Sequence, residues 1–253
     1  MPQLTVEEAS ETYIAAMRNV LPAGPGVCSV CSTFIDPGYA RCIPCSGAGD
    51  ELASVVAITY SEHLGQIHTV LRGYKDGPET QRRYMMIRLT AILWRFLEAH
   101  EACVATSAAV TEFDLVVTVP SSTVTTNQAR GNLRQIVEWC SPIADRFDPI
   151  LQPTDAVASG REISSRRYAT TDRIDGKAVL LIDDTWVGGG HARSAAATLR
   201  AAGASTVAAL VIGRHMNPGW IAGDRSCREL LDALPRTFSW DVCSVHRPST
   251  SRR

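Results

Sequence analysis

The stretch that most constrains the fold reads Val179-Leu180-Leu181-Ile182-Asp183-Asp184-Thr185-Trp186-Val187-Gly188-Gly189-Gly190-His191. An unbroken apolar run closed by acids and glycines predicts a strand over 178–182 that is covered on both faces, as in parallel sheets. An Ala-rich helix follows over about 192–202, with Gly203 placed to stop it. Residues 115–119 and 205–212 are further apolar strands, 147–151 reads as another, and a helix over about 127–145 bends at Pro142. Strands alternating with helices imply a parallel sheet whose ligands sit at the carboxyl ends of the strands.

Upstream the pattern is looser. Residues 4–20 are loosely helical, and 52–60 fit strand or helix equally. Residues 72–78 (Arg-Gly-Tyr-Lys-Asp-Gly-Pro) read as a charged turn. A long helix over 79–105 is expected from Tyr84, Ile87, Leu89, Ile92, Leu93, Phe96 and Leu97. Residues 152–175 lack periodicity and read as a long loop.

Acids at a strand's carboxyl end face the ligand crevice, while glycines let backbone amides close around a phosphate at the following helix. Carboxylates for vicinal hydroxyls beside amides for an anion fit a ribose 5-phosphate. Two rival readings fail. A P-loop needs Gly-Lys-Ser/Thr, and His191 and Ala192 follow Gly190. A dinucleotide fingerprint needs a glycine where Arg193 stands and an acid after the loop, not before it.

Four of the eight cysteines form Cys28-x2-Cys31-x10-Cys42-x2-Cys45, the paired spacing of a tetrahedral four-thiolate zinc site with no ligand position left open. Zn²⁺ there would be structural, stapling a small subdomain over the mouth of the sheet. Cys103, Cys140, Cys227 and Cys243 have no base nearby in sequence and read as inert. His63 and His68 lie five apart, off a common helical face. They and His100, His215 and His246 read as surface or packed residues.

A chain of 253 residues accommodates a large domain plus a small module. A formal net charge of -1 implies no global attraction to nucleic acid or anionic membrane. No apolar run reaches the roughly 18 residues of a span, so no membrane partner is expected. Residues 1–20 carry Glu7, Glu8 and Glu11 and lack a basic start followed by an apolar stretch, so the expected compartment is cytoplasmic.

The acid pair with its small-residue loop resembles the PRPP-binding signature of type I phosphoribosyltransferases. The layout is similar to the ComF-like, competence-associated branch of that family. It has the four-cysteine module, then Arg72-Gly73-Tyr74-Lys75-Asp76-Gly77, a strand ending at Pro120, Arg130-Gly131-Asn132, and an arginine-bearing loop around Arg166-Arg167 before the acids. The resemblance implies an α/β parallel-sheet core with helices on both faces and a small N-terminal four-cysteine zinc module. The segments would be an N-terminal helix (1–26), the zinc module (27–48), a helical hood or connector (49–110), the phosphoribosyltransferase-like domain (111–238) and a basic tail (239–253).

It further implies that Asp183 and Asp184 hold the ribose hydroxyls. Thr185, Val187, Gly188, Gly189, Gly190 and His191 would take the 5-phosphate. Pro120, Ser121 and Ser122 would take pyrophosphate with Arg130 nearby, and a mobile loop over 152–175 would bring Arg166 and Arg167. Mg²⁺ would bind mostly through PRPP oxygens. The implied partners are PRPP and a nitrogenous acceptor, with a homodimer conceivable. The ComF-like layout alone suggests single-stranded DNA, against which Arg41 is the one basic residue inside the module. Gly188 and His191 stand where the family has hydroxyl residues, and Thr185-Trp186 where it has an aliphatic pair. A non-catalytic PRPP or nucleotide sensor is therefore the second reading.

Overall fold

The computed structural model describes residues 4–121, 131–155, 163–221 and 225–245. In chain order the elements are α1 (Val6–Glu11), a 3-10 turn (Ile14–Ala16), α2 (Ile43–Ser46), β1 (Ser54–Glu62), α3 (Gln66–Asp76) and α4 (Glu79–Ser107). There follow β2 (Leu115–Thr118), α5 (Asn132–Glu138), α6 (Ser141–Ala144), β3 (Gln152–Pro153), β4 (Tyr168–Ala169) and β5 (Ala178–Trp186). The last are α7 (Gly190–Ala201), β6 (Thr206–Met216), α8 (Pro218–Ile221) and α9 (Arg225–Asp232).

The main sheet is four-stranded, ordered β1-β6-β5-β2, with every pairing parallel. Successive side chains of a strand point to opposite faces, and the core divides accordingly. Leu180, Ile182, Leu210 and Ile212 pack with α3, α4 and α5 on one face. Val179, Leu181, Ala209 and Val211 pack with α7 and the cysteine module on the other. The chain is thus α/β, with a parallel sheet flanked by helices and a four-cysteine cluster near its N-terminus. Among the described residues no helix is long and apolar enough to cross a membrane.

Several expectations need correction. The helix expected over 4–20 stops at Glu11 after a Thr5–Glu8 capping box, and Asn19 instead bridges Thr59 of β1. Ser54–Glu62, within the segment expected to be a helical connector, is an edge strand of the main sheet. Arg72 to Asp76 is the end of α3 rather than a turn, because Tyr74 is drawn into the core beside Leu71. The strand expected over 147–151 reduces to a single parallel bridge, Val116 to Phe147. The loop expected over 152–175 contains the antiparallel β3–β4 pair. The long helix runs to Ser107, but Tyr84 and Ile87 face outward and Met86 turns in. The tail from Ser239 to Val245 is anchored: Asn19 Nδ2 donates to the Ser239 and Val242 carbonyls at 2.8 and 3.0 Å.

Candidate functional site

β5 continues past the acid pair to Trp186, so Asp183 and Asp184 lie within the strand rather than beyond its end. Both carboxylates line a cavity of about 610 Å³ at the carboxyl ends of the strands, well inside the size range of small-molecule sites. Thr185, Val187, the three glycines and His191 line the same cavity, as do Pro120 and Ser121. Ser122 and Arg130 lie outside the described residues. Arg166 is exposed and Arg167 is buried, and neither lines the cavity.

The glycine loop has a specific local cause. Gly189 adopts φ +80° and serves as the N-cap of α7, where no side chain caps the helix. Its missing Cβ leaves room for the indole of Trp186, which is buried directly beneath. The opening amides of α7 have no partner inside the helix and carry the positive end of its dipole. Gly189→Ala combines a disfavoured φ with a collision against that indole. It should cost about 2–4 kcal/mol and lower the thermal midpoint by about 5–15 °C, read by calorimetry.

A cation meets the acids. Lys75 Nζ sits 2.6 Å from Asp184 Oδ2. Close approach of α3 to β6 makes this contact: a Cβ at Gly213 would press on Leu71 Cδ1 at 2.5 Å. Burial depresses the Lys75 pKa, but Asp184 and then Asp183 outweigh it, so the ammonium is held above its ordinary value. Asp183 is raised too, which for an acid favours the neutral form. Burial first, then the neighbouring Asp184 charge, push its carboxyl well above the usual carboxylate range. Tyr74, fully buried beside them, is likewise raised by burial and by both acids. Asn132 Nδ2 donates to the Tyr74 carbonyl at 2.8 Å, so the start of α5 is tied to the end of α3.

His191 Nδ1 lies 2.8 Å from the Tyr168 hydroxyl, which donates at 3.2 Å to the Pro120 carbonyl in one of its orientations. Burial, then Arg167 and Lys75, lower the His191 pKa. The neutral imidazole is therefore favoured over the charged donor. When Tyr168 donates to Nδ1, the remaining ring proton is on Nε2 and is still available to an anion.

Sequence spacing gave no hint that three histidines would meet. His63 follows β1, His68 opens α3 and His215 lies on neighbouring β6, where it pairs in register with Ser61. Their ring centroids are 5.1, 5.2 and 5.7 Å apart on the cavity wall. Burial and the adjacent imidazoles lower the pKa of both His68 and His215.

The four clustered thiols have ligand atoms all within 4.8 Å of one another, an arrangement that suits a metal such as zinc. Cys28, Cys31 and Cys45 are buried. Two buried arginines, neither suggested by the sequence, contact the cluster. Arg214 Nη2 reaches Cys31 Sγ and Arg193 Nη2 reaches Cys45 Sγ, each at 3.6 Å. A divalent metal with four thiolates carries a net charge of about -2, which two guanidinium groups offset. None of the four cysteines lines the main cavity. The module buttresses α7 and β6 from the side and does not cover the mouth of the sheet.

Compared with protein-family models, curated proteins and solved structures, the chain matches none.

Proposed function

We propose that the protein is a type I phosphoribosyltransferase-like protein that binds PRPP with Mg²⁺ and transfers its phosphoribosyl group to a nitrogenous, nucleobase-like acceptor. The supporting observation is that two carboxylates and an uncapped glycine-loop helix terminus converge on one cavity. Asp183 and Asp184 accept hydrogen bonds from the ribose 2- and 3-hydroxyls. The amides of residues 188–191 hold the 5-phosphate, helped by His191 on its Tyr168 support. Lys75, in contact with Asp184, adds positive charge beside the leaving group. The acceptor nitrogen bonds to the anomeric carbon as the bond to pyrophosphate oxygen breaks, that electron pair leaves on pyrophosphate, and the nitrogen's proton passes to solvent. Catalysis would come from holding the reactants in place and stabilising charge on the leaving group. Mg²⁺, carried mainly on PRPP oxygens, would neutralise part of that charge. The cysteine module would hold structural Zn²⁺.

Binding without turnover is the second reading, favoured by Gly188 and by the lowered His191 pKa. The DNA-accessory reading gains nothing from the module's surroundings, since its two contacting arginines are buried against the thiols.

Titration calorimetry with PRPP and Mg²⁺, followed by pyrophosphate release across a nucleobase panel, separates these readings. Release supports the enzyme, binding alone supports the sensor, and absence of heat defeats both. A second prediction is a gain. A Cβ at Gly188 would meet nothing within 4 Å, so Gly188→Ser can place a hydroxyl toward the phosphate. A new charge-assisted bond worth about 1–2 kcal/mol should tighten PRPP binding roughly five- to thirtyfold. Unchanged or weaker affinity would place the phosphate elsewhere.

A further inference from the structure

We propose that His100, Cys103 and Cys243 form a second metal site, taking a thiophilic divalent cation of the zinc type and clasping the C-terminal segment to α4. Their ligand atoms all lie within 4.8 Å of one another. His100 and Cys103 are three residues apart on α4, hence on one helical face, and Cys243 arrives from the far end of the chain. The His100 Nδ1 to Cys103 Sγ distance is 3.8 Å, close to the roughly 3.6 Å edge expected when both bind one tetrahedral zinc.

The support behind the histidine points the same way. His100 Nε2 lies 2.7 Å from the Trp240 carbonyl. A proton on Nε2 leaves the Nδ1 lone pair facing the two sulfurs, and such a backbone-anchored imidazole is what metal-binding histidines characteristically show. Charge is consistent as well. Zinc with two thiolates and a neutral imidazole has a net charge of about zero, so this buried site needs no counter-charge like the arginines at the four-cysteine cluster. Cys103 is half-buried and gives the ion a way in, while His100 and Cys243 are buried.

The position indicates a structural role. Ser107, at the end of α4, donates to Ser54 at the start of β1 at 2.9 Å, so this part of α4 lies toward the amino ends of the strands, away from the ligand cavity. The clasped segment also sends Trp240 Nε1 to Glu11 at 3.2 Å and Ser239 to Asn19, joining both termini of the fold to α4. In the sequence, His100-x2-Cys103 is echoed by Cys243-x2-His246; His246 lies outside the described residues, and the proposal rests on the other three.

Zinc per chain, measured by elemental mass spectrometry on the full chain purified without chelators, tests this. About two ions are expected in the wild type and about one in Cys103→Ser, a change at a half-exposed position, and in His100→Gln. After cobalt substitution, Cys103→Ser should lose about one third of the thiolate-to-cobalt absorption, since two of six thiolates leave. A wild-type content of about one that persists in Cys103→Ser overturns the proposal. So does an intact mass showing Cys103 and Cys243 joined as a disulfide in freshly purified protein.

Discussion

Stripping the metal from the four-cysteine module, or replacing Cys45 with Ser, is expected to unfold the chain or lower its thermal midpoint by more than about 15 °C. Structural zinc binding by four thiolates supplies free energy on the order of 10 kcal/mol, comparable to the whole stability of a domain. Here the loss would be compounded from inside. Arg193 and Arg214 are each at most 5% exposed, and their guanidinium groups contact Cys45 and Cys31. Without a negatively charged centre beside them, two buried cations lose a neighbouring counter-charge, leaving Arg193 with Glu51 at 3.6 Å, and an uncompensated buried charge costs several kcal/mol. Arg193 lies on α7, the helix whose amino end opens on the ligand cavity, so metal loss should also degrade ligand binding before global unfolding. Calorimetric melting with and without chelator reads the effect. An unchanged midpoint after verified zinc loss would remove the module from any stabilising role.

Asp183→Asn should separate function from stability. Binding of PRPP with Mg²⁺ is expected to fall at least about a hundredfold, because an amide replaces a carboxylate acceptor for a ribose hydroxyl. Stability should rise at neutral pH. The folded pKa of Asp183 is raised above its unfolded value, so between the two the native state holds a proton that the unfolded state has released. Stability therefore falls as pH climbs from the ordinary aspartate range through the folded pKa, and the penalty is complete above it. Asparagine removes that penalty. The variant should melt higher than wild type near pH 7 and match it near pH 3, where both states carry the proton. A variant that melts lower at every pH would make Asp183 a structural residue. One that retains PRPP affinity would remove it from the ligand site. A carboxylate kept at a cost to folding is the pattern expected of a residue retained for a ligand.

The second half of the fold was readable because parallel strands must be apolar on both faces. Val179 to Ile182 and Val207 to Ile212 are short apolar runs set off by glycines and an intervening Ala-rich helix, and Gly203, at φ +108°, follows α7 as its position implied. The β1 segment was ambiguous because an apolar run of that length has no period of its own. The charged stretch at Arg72 misled for a different reason: its polar residues line a cavity, and an inward-facing polar side of a helix has the composition of a turn. Residues 147–151 looked like a strand because Phe147, Ile150 and Leu151 are apolar, yet a single bridge, Val116 to Phe147, forms there.

Covalent neighbours are what the amino-acid order can determine by itself: which acids adjoin which glycines, which thiols are spaced for one metal, which runs must be buried. Tertiary structure decided the meetings between residues far apart in the chain. Lys75 reached Asp184, Tyr168 reached His191, Arg214 reached Cys31, and His63 and His68 met His215. Each pairing depends on the order in which strands lie side by side and on how closely a helix can approach them. The β1-β6-β5-β2 order carries that information, because hydrogen bonding in the sheet, not local propensity, sets which strand ends become neighbours.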